Sequence, residues 1–184
     1  MVKYVVGHKN PDTDSVCSAI ALANLKKELG EDVKAVIQGE LNPETRFVLD
    51  RFEVETPEIM TDASGKELIL VDHTEVAQSL DNLSEGKIIQ IVDHHKLGDV
   101  TTKEPIEVFV MPVGSTCTII KSLYDSHGID IPKDIAGLML SAILSDTIIF
   151  KSPTASEEDK MVAQDLANIC GVDNLEEFGQ KIMI

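Results

Sequence analysis

The sequence predicts an α/β fold, a mainly parallel sheet flanked by helices. Three observations carry that reading. Short runs of aliphatic residues alternate with longer segments of helical periodicity along the 184 residues. Aromatic residues make up only 4% and Trp is absent, so the 43% apolar content is built from Ile, Val, Leu and Ala, as is common in a parallel sheet buried on both faces. No Gly-, Pro- or Ser-rich linker and no internal repeat divides the chain, and its length suits one domain over 1–184.

Residues 3–7 read as a buried strand. Ser15 to Leu29 reads as a helix with apolar positions at Val16, Ile20, Ala23 and Leu25, stopped by Gly30. Val33 to Ile37 is a second strand. Asn42-Pro43 is an N-cap followed by a first-turn proline, and Phe47, Val48 and Phe52 form the apolar face of the helix it opens. Residues 57–65 read as a connection, 67–71 as a third strand, 76–80 as a short helical or irregular piece, 87–92 as a fourth strand and 108–111 as a fifth. Ser115 caps a helix that runs to Ser126 and closes near Gly128. Pro132 opens another, whose run Ile135-Ala136-Gly137-Leu138-Met139-Leu140 looks buried on most sides. Two further helices are expected at 156–170 and 174–184. The last ends on Ile182-Met183-Ile184 without a terminator, which reads either as a place where more chain follows or as an apolar tail docked on the core.

Charge and composition exclude several classes. With 32 acidic against 16 basic residues the net charge is −16, which argues against binding a nucleic-acid backbone and leaves room for a small anion held through metal ions. No apolar stretch reaches 18 residues, and the segment before His8 is too short for a signal h-region, so neither a membrane span nor secretion is supported and a cytoplasmic protein is expected. Cys17, Cys117 and Cys170 are odd in number, far apart and set in apolar helical surroundings. They read as reduced core residues.

The chemistry-bearing residues cluster at strand ends. His8, Asp12 and Asp14 follow Tyr4-Val5-Val6, Asp72-His73 follows Glu67-Leu68-Ile69-Leu70-Val71, and Asp93-His94-His95 follows Ile88-Ile89-Gln90-Ile91-Val92. In a parallel α/β sheet, ligands collect in the crevice outside the carboxyl ends of the strands, so clusters distant in sequence can converge there. Pro11 disfavours helix between His8 and Asp12, so these residues read as loop ligands fanned around a turn; the alternative is that Asp12 and Asp14 cap the following helix. A calcium loop beginning at Asp12 fails, having Cys17 and Ala23 where Gly and Glu are needed, and no dinucleotide or P-loop glycine pattern occurs.

Asp72-His73 alone is open between a ligand pair and a structural histidine at a strand end. In the third cluster His94 is expected to ligate, His95 to reach the substrate and Asp93 to orient a histidine. Asp146 ends a strongly apolar helix, where a carboxylate opposes the helix dipole and calls for a cation; an exposed helix-end Asp is the alternative. His127, beside Gly128, reads as a favourable helix C-terminal residue. The candidate set is His8, Asp12, Asp14, Asp72, His94 and Asp146, more than one ion needs. Two ions sharing a carboxylate fit better, and imidazole with carboxylate and no thiolate suits manganese, or cobalt or magnesium in its place, more than structural zinc. Two such ions suit in-line phosphoryl displacement.

The segments HKNPDTDS (8–15), VDH (71–73), VDHH (92–95) and LSAILSDTIIFKSPT (140–154) resemble, in order and across essentially the whole chain, the DHH phosphoesterases, and within them the manganese-dependent, family II inorganic pyrophosphatases. Thr13 between the aspartates resembles the pyrophosphatases more than the oligoribonucleases, and His8 resembles them more than the exopolyphosphatases. The resemblance implies that His8 and Asp12 hold one ion, Asp14 and His94 the other, with Asp72 bridging and Asp146 completing the cluster. It further implies that His95 contacts phosphate, that a metal-bridging hydroxide attacks pyrophosphate to give two orthophosphates, and that the protein is a homodimer joined through this domain. One departure is large: the Ser-Arg-Lys of the family's C-terminal substrate-gripping domain does not occur here, so the chain resembles an isolated catalytic core with reduced activity. The alternatives are another DHH phosphoesterase, acting on oligoribonucleotides or polyphosphate, or a metal-dependent dimerisation module that does not turn over.

Overall fold

The computed structural model describes residues 1–183. Six strands form one parallel sheet: β1 (Lys3–Val6), β2 (Val33–Ile37), β3 (Glu58–Ile59), β4 (Glu67–Val71), β5 (Lys87–Asp93) and β6 (Glu107–Val110). Their order is β3-β2-β1-β4-β5-β6, so the chain winds outward from β1 in one direction and then crosses to its other side. The carboxyl ends of β1 and β4 flank that reversal, the position where doubly wound sheets open a crevice. Both strands release candidate site residues there: His8 after β1 and Asp72 after β4.

Period-two alternation sorts the strands' side chains onto two faces. Val5, Ile69, Val71 and Val92 join the larger core with the six helices: α1 (Thr13–Glu28), α2 (Pro43–Arg51), α3 (Thr116–His127), α4 (Lys133–Asp146), α5 (Glu157–Cys170) and α6 (Leu175–Ile182). Val6, Val36, Leu68, Leu70, Ile88 and Ile91 lie on the other face, covered by Ala63, Leu80 and Leu83 with Met60, Val100 and Ile106, from irregular segments and one short 3-10 turn. The helices therefore gather on one side, and α4 lies at the centre of their layer with Leu138, Met139, Leu140, Ile143 and Leu144 fully buried. Gly137 is where α4 meets Phe52; an added Cβ would lie 2.2 Å from the ring.

Most expected elements form within a residue or two of their predicted limits. The connection at 57–65 contains the two-residue strand β3, paired in parallel with β2. Asn42 caps α2 through Thr45 N–H, and Ser115 caps α3, which closes on Gly128 at φ 66°. Ser156 and Asp159 form a reciprocal capping box on α5. The helix expected at 174–184 is α6, which packs Phe178 edge-to-face on Phe52; Ile184 lies outside the described residues. All three cysteines are free and buried, as expected.

A candidate dinuclear metal centre

Asp12 is the N-cap of α1, its Oδ1 accepting Ser15 N–H at 2.9 Å, so the helix starts at Thr13. This corrects the picture of a fan of loop ligands: His8 and Asp12 lie on the loop, whereas Asp14 sits in the first helical turn. The expected capping role and nearness to a histidine coexist at Asp12, because the same oxygen lies 3.4 Å from His8 Nε2. Asp14 does not cap its own helix. It is buried against the N-terminus of α3, where Oδ1 accepts the Ser115 hydroxyl at 2.7 Å and Oδ2 accepts Thr116 N–H at 2.9 Å. Gly7 lets α1 come this close, since a Cβ there would fall 1.8 Å from Ser15 Oγ.

Asp72 leaves β4 with φ 63°, in the left-handed region that an L-aspartate tolerates better than most residues. Its two oxygens face opposite ways. Oδ2 lies 3.2 Å from His8 Nε2, and Oδ1 lies 3.2 Å from His94 Nε2 while accepting the Thr116 hydroxyl at 3.0 Å. His94 Nε2 is also 3.2 Å from Asp146 Oδ2 and 3.5 Å from Asp14 Oδ2. Three candidate ligand groups share the Asp72 carboxylate: His8, Asp12 and Asp72 on one side, Asp14, Asp72, His94 and Asp146 on the other, and Asp72, His94 and His95 beside the second. All six residues singled out as ligand candidates come together.

The ring tautomers test whether a cation fits. His94 Nδ1 lies 2.9 Å from the Val113 carbonyl, which can only accept, so Nδ1 carries the hydrogen and Nε2 presents its lone pair. That Nε2 is buried, has no hydrogen-bond partner among the described residues, and faces three carboxylates. His8 repeats the arrangement, with Nδ1 donating to the Lys9 carbonyl at 2.7 Å. Lone pairs converging on carboxylates need a positive charge between them. Donor atoms bonded to one ion at roughly 2.1 Å stand about 3.0 Å apart in an octahedron and about 3.4 Å in a tetrahedron, close to the separations here. The residues fit a pair of divalent ions.

Without an ion, protons take that place. Burial opposes the charged form of His8, but Asp12 and Asp72 outweigh it and push the imidazole up to about 11. Burial likewise opposes His94, yet Asp146 and Asp72 carry it up to about 12. Asp72 answers in the opposite sense: burial would raise its carboxyl, but His8 and His94 hold it well below the usual range. Asp14 is pushed up by burial and by Asp72 and Asp146 beside it. Asp146 is raised by burial, against the pull of His94 and with the push of Asp72.

Asp93 ends β5 and turns the next two residues: its Oδ1 accepts the backbone N–H of His94 at 2.8 Å and of His95 at 3.2 Å, and His95 Nδ1–H at 2.7 Å. That bond raises the imidazole of His95 against its own burial. His95 is half exposed, and its ring lies 4.1 Å from that of His94, centre to centre. It lines an open cavity of about 240 Å³ with His8, Asp72, His73, Gln78 and Lys96. His73 is buried, with Nδ1 on the Val71 carbonyl at 2.8 Å; it belongs to none of the ligand groups. His127, as expected, closes α3.

Three contributors escape a reading of the sequence alone. Ser115 and Thr116 are visible there as a helix cap, but nothing local shows that this cap receives Asp14 and Asp72. Asp159 is fully buried, binding Gly114 N–H at 2.8 Å and the Thr118 hydroxyl at 2.6 Å, and so fixes the loop that carries Ser115. Beyond Asp146 the chain makes a left-handed turn over Ile148, Ile149 and Phe150, with φ of 50°, 51° and 64°.

Comparison with known proteins places this geometry in a family. The sequence pattern of the DHH family, N-terminal domain, matches residues 3–143. The chain is 52% identical over 190 residues to the manganese-dependent inorganic pyrophosphatase of Methanocaldococcus jannaschii, covering 99% of this chain and 60% of that protein. It is 51% identical over 181 residues to the enzyme of that name from Methanothrix thermoacetophila, covering 98% of this chain and 58% of that one. A crystal structure of a Methanococcus jannaschii protein assigned to the family II inorganic pyrophosphatases superposes with a TM-score of 0.91 at 52% identity, over 98% of this chain and 59% of that one. The chain thus spans about three-fifths of the length of the relatives it matches. By sequence pattern and fold together, the chain belongs to the DHH family.

Proposed function

We propose that this chain is the metal-binding catalytic core of a manganese-dependent inorganic pyrophosphatase, hydrolysing pyrophosphate to two orthophosphates. The observation that carries the reading is Asp72, with one oxygen toward His8 and the other toward His94. His8 and Asp12 would hold one ion, Asp14, His94 and Asp146 the other, and Asp72 both. Bound there, two divalent ions supply Lewis-acid activation of water and neutralisation of phosphate oxygens. The set contains nitrogen and oxygen donors and no thiolate, which suits manganese, with cobalt or magnesium as substitutes. The relatives bear the same activity in their names.

The chain's own residues have separable tasks. Asp93 fixes His95 through Nδ1, and His95 lines the cavity. His95, whose imidazole Asp93 raises, would contact a phosphate oxygen of the anionic substrate. Ser115, Thr116 and the N-terminus of α3 hold Asp14 and Asp72 in place before any ion arrives. Lys96 is the one lysine lining this cavity among the described residues, so cations from outside this chain would complete the grip on a tetra-anionic substrate.

We further propose a homodimer joined through this domain, supported by the β6 edge, where Val108 is 49% exposed. A cytoplasmic setting is supported by the three free, buried cysteines. Among the described residues no helix is long and apolar enough to cross a membrane. The net charge of −16 supports a small anion as substrate in preference to a nucleic acid.

Phosphate release with manganese tests the activity, with pyrophosphate, a short oligoribonucleotide and polyphosphate offered in parallel. Release from pyrophosphate is expected. Hydrolysis of the oligonucleotide with pyrophosphate untouched would assign the chain to another DHH activity. Two bound ions with no turnover, in this chain and in a longer form alike, would make it a binding module.

A further inference from the structure

We propose that Glu44 is a positioning residue, a brace that ties the two chain segments carrying Asp12, Asp14 and Asp146 and sets their separation before metal enters. The proposal rests on the metal-core reading above and adds to it a residue outside the ligand set. One oxygen of Glu44, Oε1, receives two hydroxyls. Thr13, which stands between Asp12 and Asp14, donates its hydroxyl to Oε1. Ser145, immediately before Asp146, donates its own to the same atom at 2.6 Å. Thr45 Oγ1 lies 2.9 Å from Thr13 Oγ1, and since the Thr13 proton is committed to Glu44, Thr45 is the donor there. Every hydroxyl in the chain of bonds therefore points toward one carboxylate, an order in which each bond polarises the next.

The positions of these residues make this more than a local helix contact. Glu44 occupies the first turn of α2, Thr13 the first turn of α1, and Ser145 the last turn of α4, so three helix ends meet at one oxygen. Two of those ends carry carboxylates that face one another across the centre: Asp14 and Asp146 both approach His94 Nε2. The separation of these ends is what an ion must find already set if binding is not to cost reorganisation. Thr13 and Thr45 are fully buried, so water does not compete for the bond between them.

Manganese binding by calorimetry separates the alternatives, with metal-free thermal melts as the check on folding. Wild type takes up two ions. Glu44→Ala lowers the affinity about ten-fold or more, the size of effect expected when a ligand loses its support. Glu44→Gln keeps an oxygen where both hydroxyls can donate and stays within about three-fold of wild type. Ser145→Ala removes one tether without touching α2 and carries the test if Glu44→Ala unfolds; its expected loss is smaller and falls on the Asp14–His94–Asp146 ion. Wild-type affinity in both Glu44→Ala and Ser145→Ala would overturn the brace while leaving the metal-core reading intact. A loss in Glu44→Gln as large as in Glu44→Ala would overturn it too, because charge would then be the cause. Wild type that takes up no manganese would overturn the metal-core reading and the brace with it.

Discussion

Asp159 Oδ2 accepts the backbone N–H of Gly114 at 2.8 Å across 45 residues of chain, and the same carboxylate caps α5 through Ser156. The N-terminal cap of one helix thereby fixes the loop at the start of another, and that loop holds Asp14 and Asp72 through Ser115 and Thr116. Among the described residues no cation takes part, and the buried carboxylate is satisfied by Gly114, Thr118 and Ser156.

Asp159→Ala leaves the Gly114 N–H and the Thr118 hydroxyl buried without partners. The expected cost is about 3 kcal/mol of stability, read by urea unfolding in the presence of chelator. Asp165→Ala is the control: Asp165 is mostly exposed and 3.7 Å from Lys121, and its loss should change stability by less than about 0.5 kcal/mol. Equal effects of the two substitutions would remove Asp159 from its place in the support of the site.

Asp72 offers a graded pair. Asn tolerates φ 63° and keeps one oxygen, whereas Ala keeps neither charge nor ligand. Asp72→Ala is expected to abolish coupling between the two manganese ions, since one carboxylate serves both; Asp72→Asn should weaken binding with the fold retained. Calorimetry giving two unaltered, coupled sites in Asp72→Ala would refute the bridging assignment.

Metal binding should release protons. The imidazoles of His8 and His94 are pushed up to about 11 and about 12 in the metal-free chain, while a ligated imidazole is neutral. Each ion then displaces at least one proton near neutral pH, and affinity rises about ten-fold per pH unit for each proton displaced. Titrations in buffers of different ionisation enthalpy measure that release directly. Because these folded-state values lie above the ordinary 6.5, the stability they contribute to the metal-free fold is fully present below 6.5 and is lost as pH rises through 11 and 12. Metal-free melting temperatures should fall at alkaline pH; a rise there would contradict the assignment.

The left-handed turn after Asp146 predicts a reversal of the usual glycine penalty. Ile148 is 52% exposed at φ 50°, so Ile148→Gly relieves an unfavourable conformation and should cost less than about 0.5 kcal/mol. Ile149 shares the conformation but is buried against Gly179, and Ile149→Gly should cost about 3 kcal/mol through lost packing. Thermal unfolding of the two variants side by side decides it.

Strand-end clusters were legible because a parallel sheet delivers its carboxyl ends to one crevice, so His8, Asp72 and His94 could be joined without knowing a contact. β3 was not legible: two exposed residues carry no alternation to read. Asp14 was legible as a site residue but not as a member of α1, because Pro11 stops helix only before Asp12 and leaves Thr13 free to begin it. Glu44, Ser115 and Asp159 were invisible as supports because each looks locally like an ordinary helix-end residue. Their partners lie 31 to 101 residues away, and only packing brings them together.

The sheet's parallel order also leaves a silent rim. Every strand starts at the end opposite the metal centre, and the turns there, Gly30 before β2 and Gly65 before β4, run at φ 86° and 72° with open space around them. A fluorophore or affinity handle inserted at either glycine would report on this protein from across the full depth of the sheet, out of reach of the candidate metal centre.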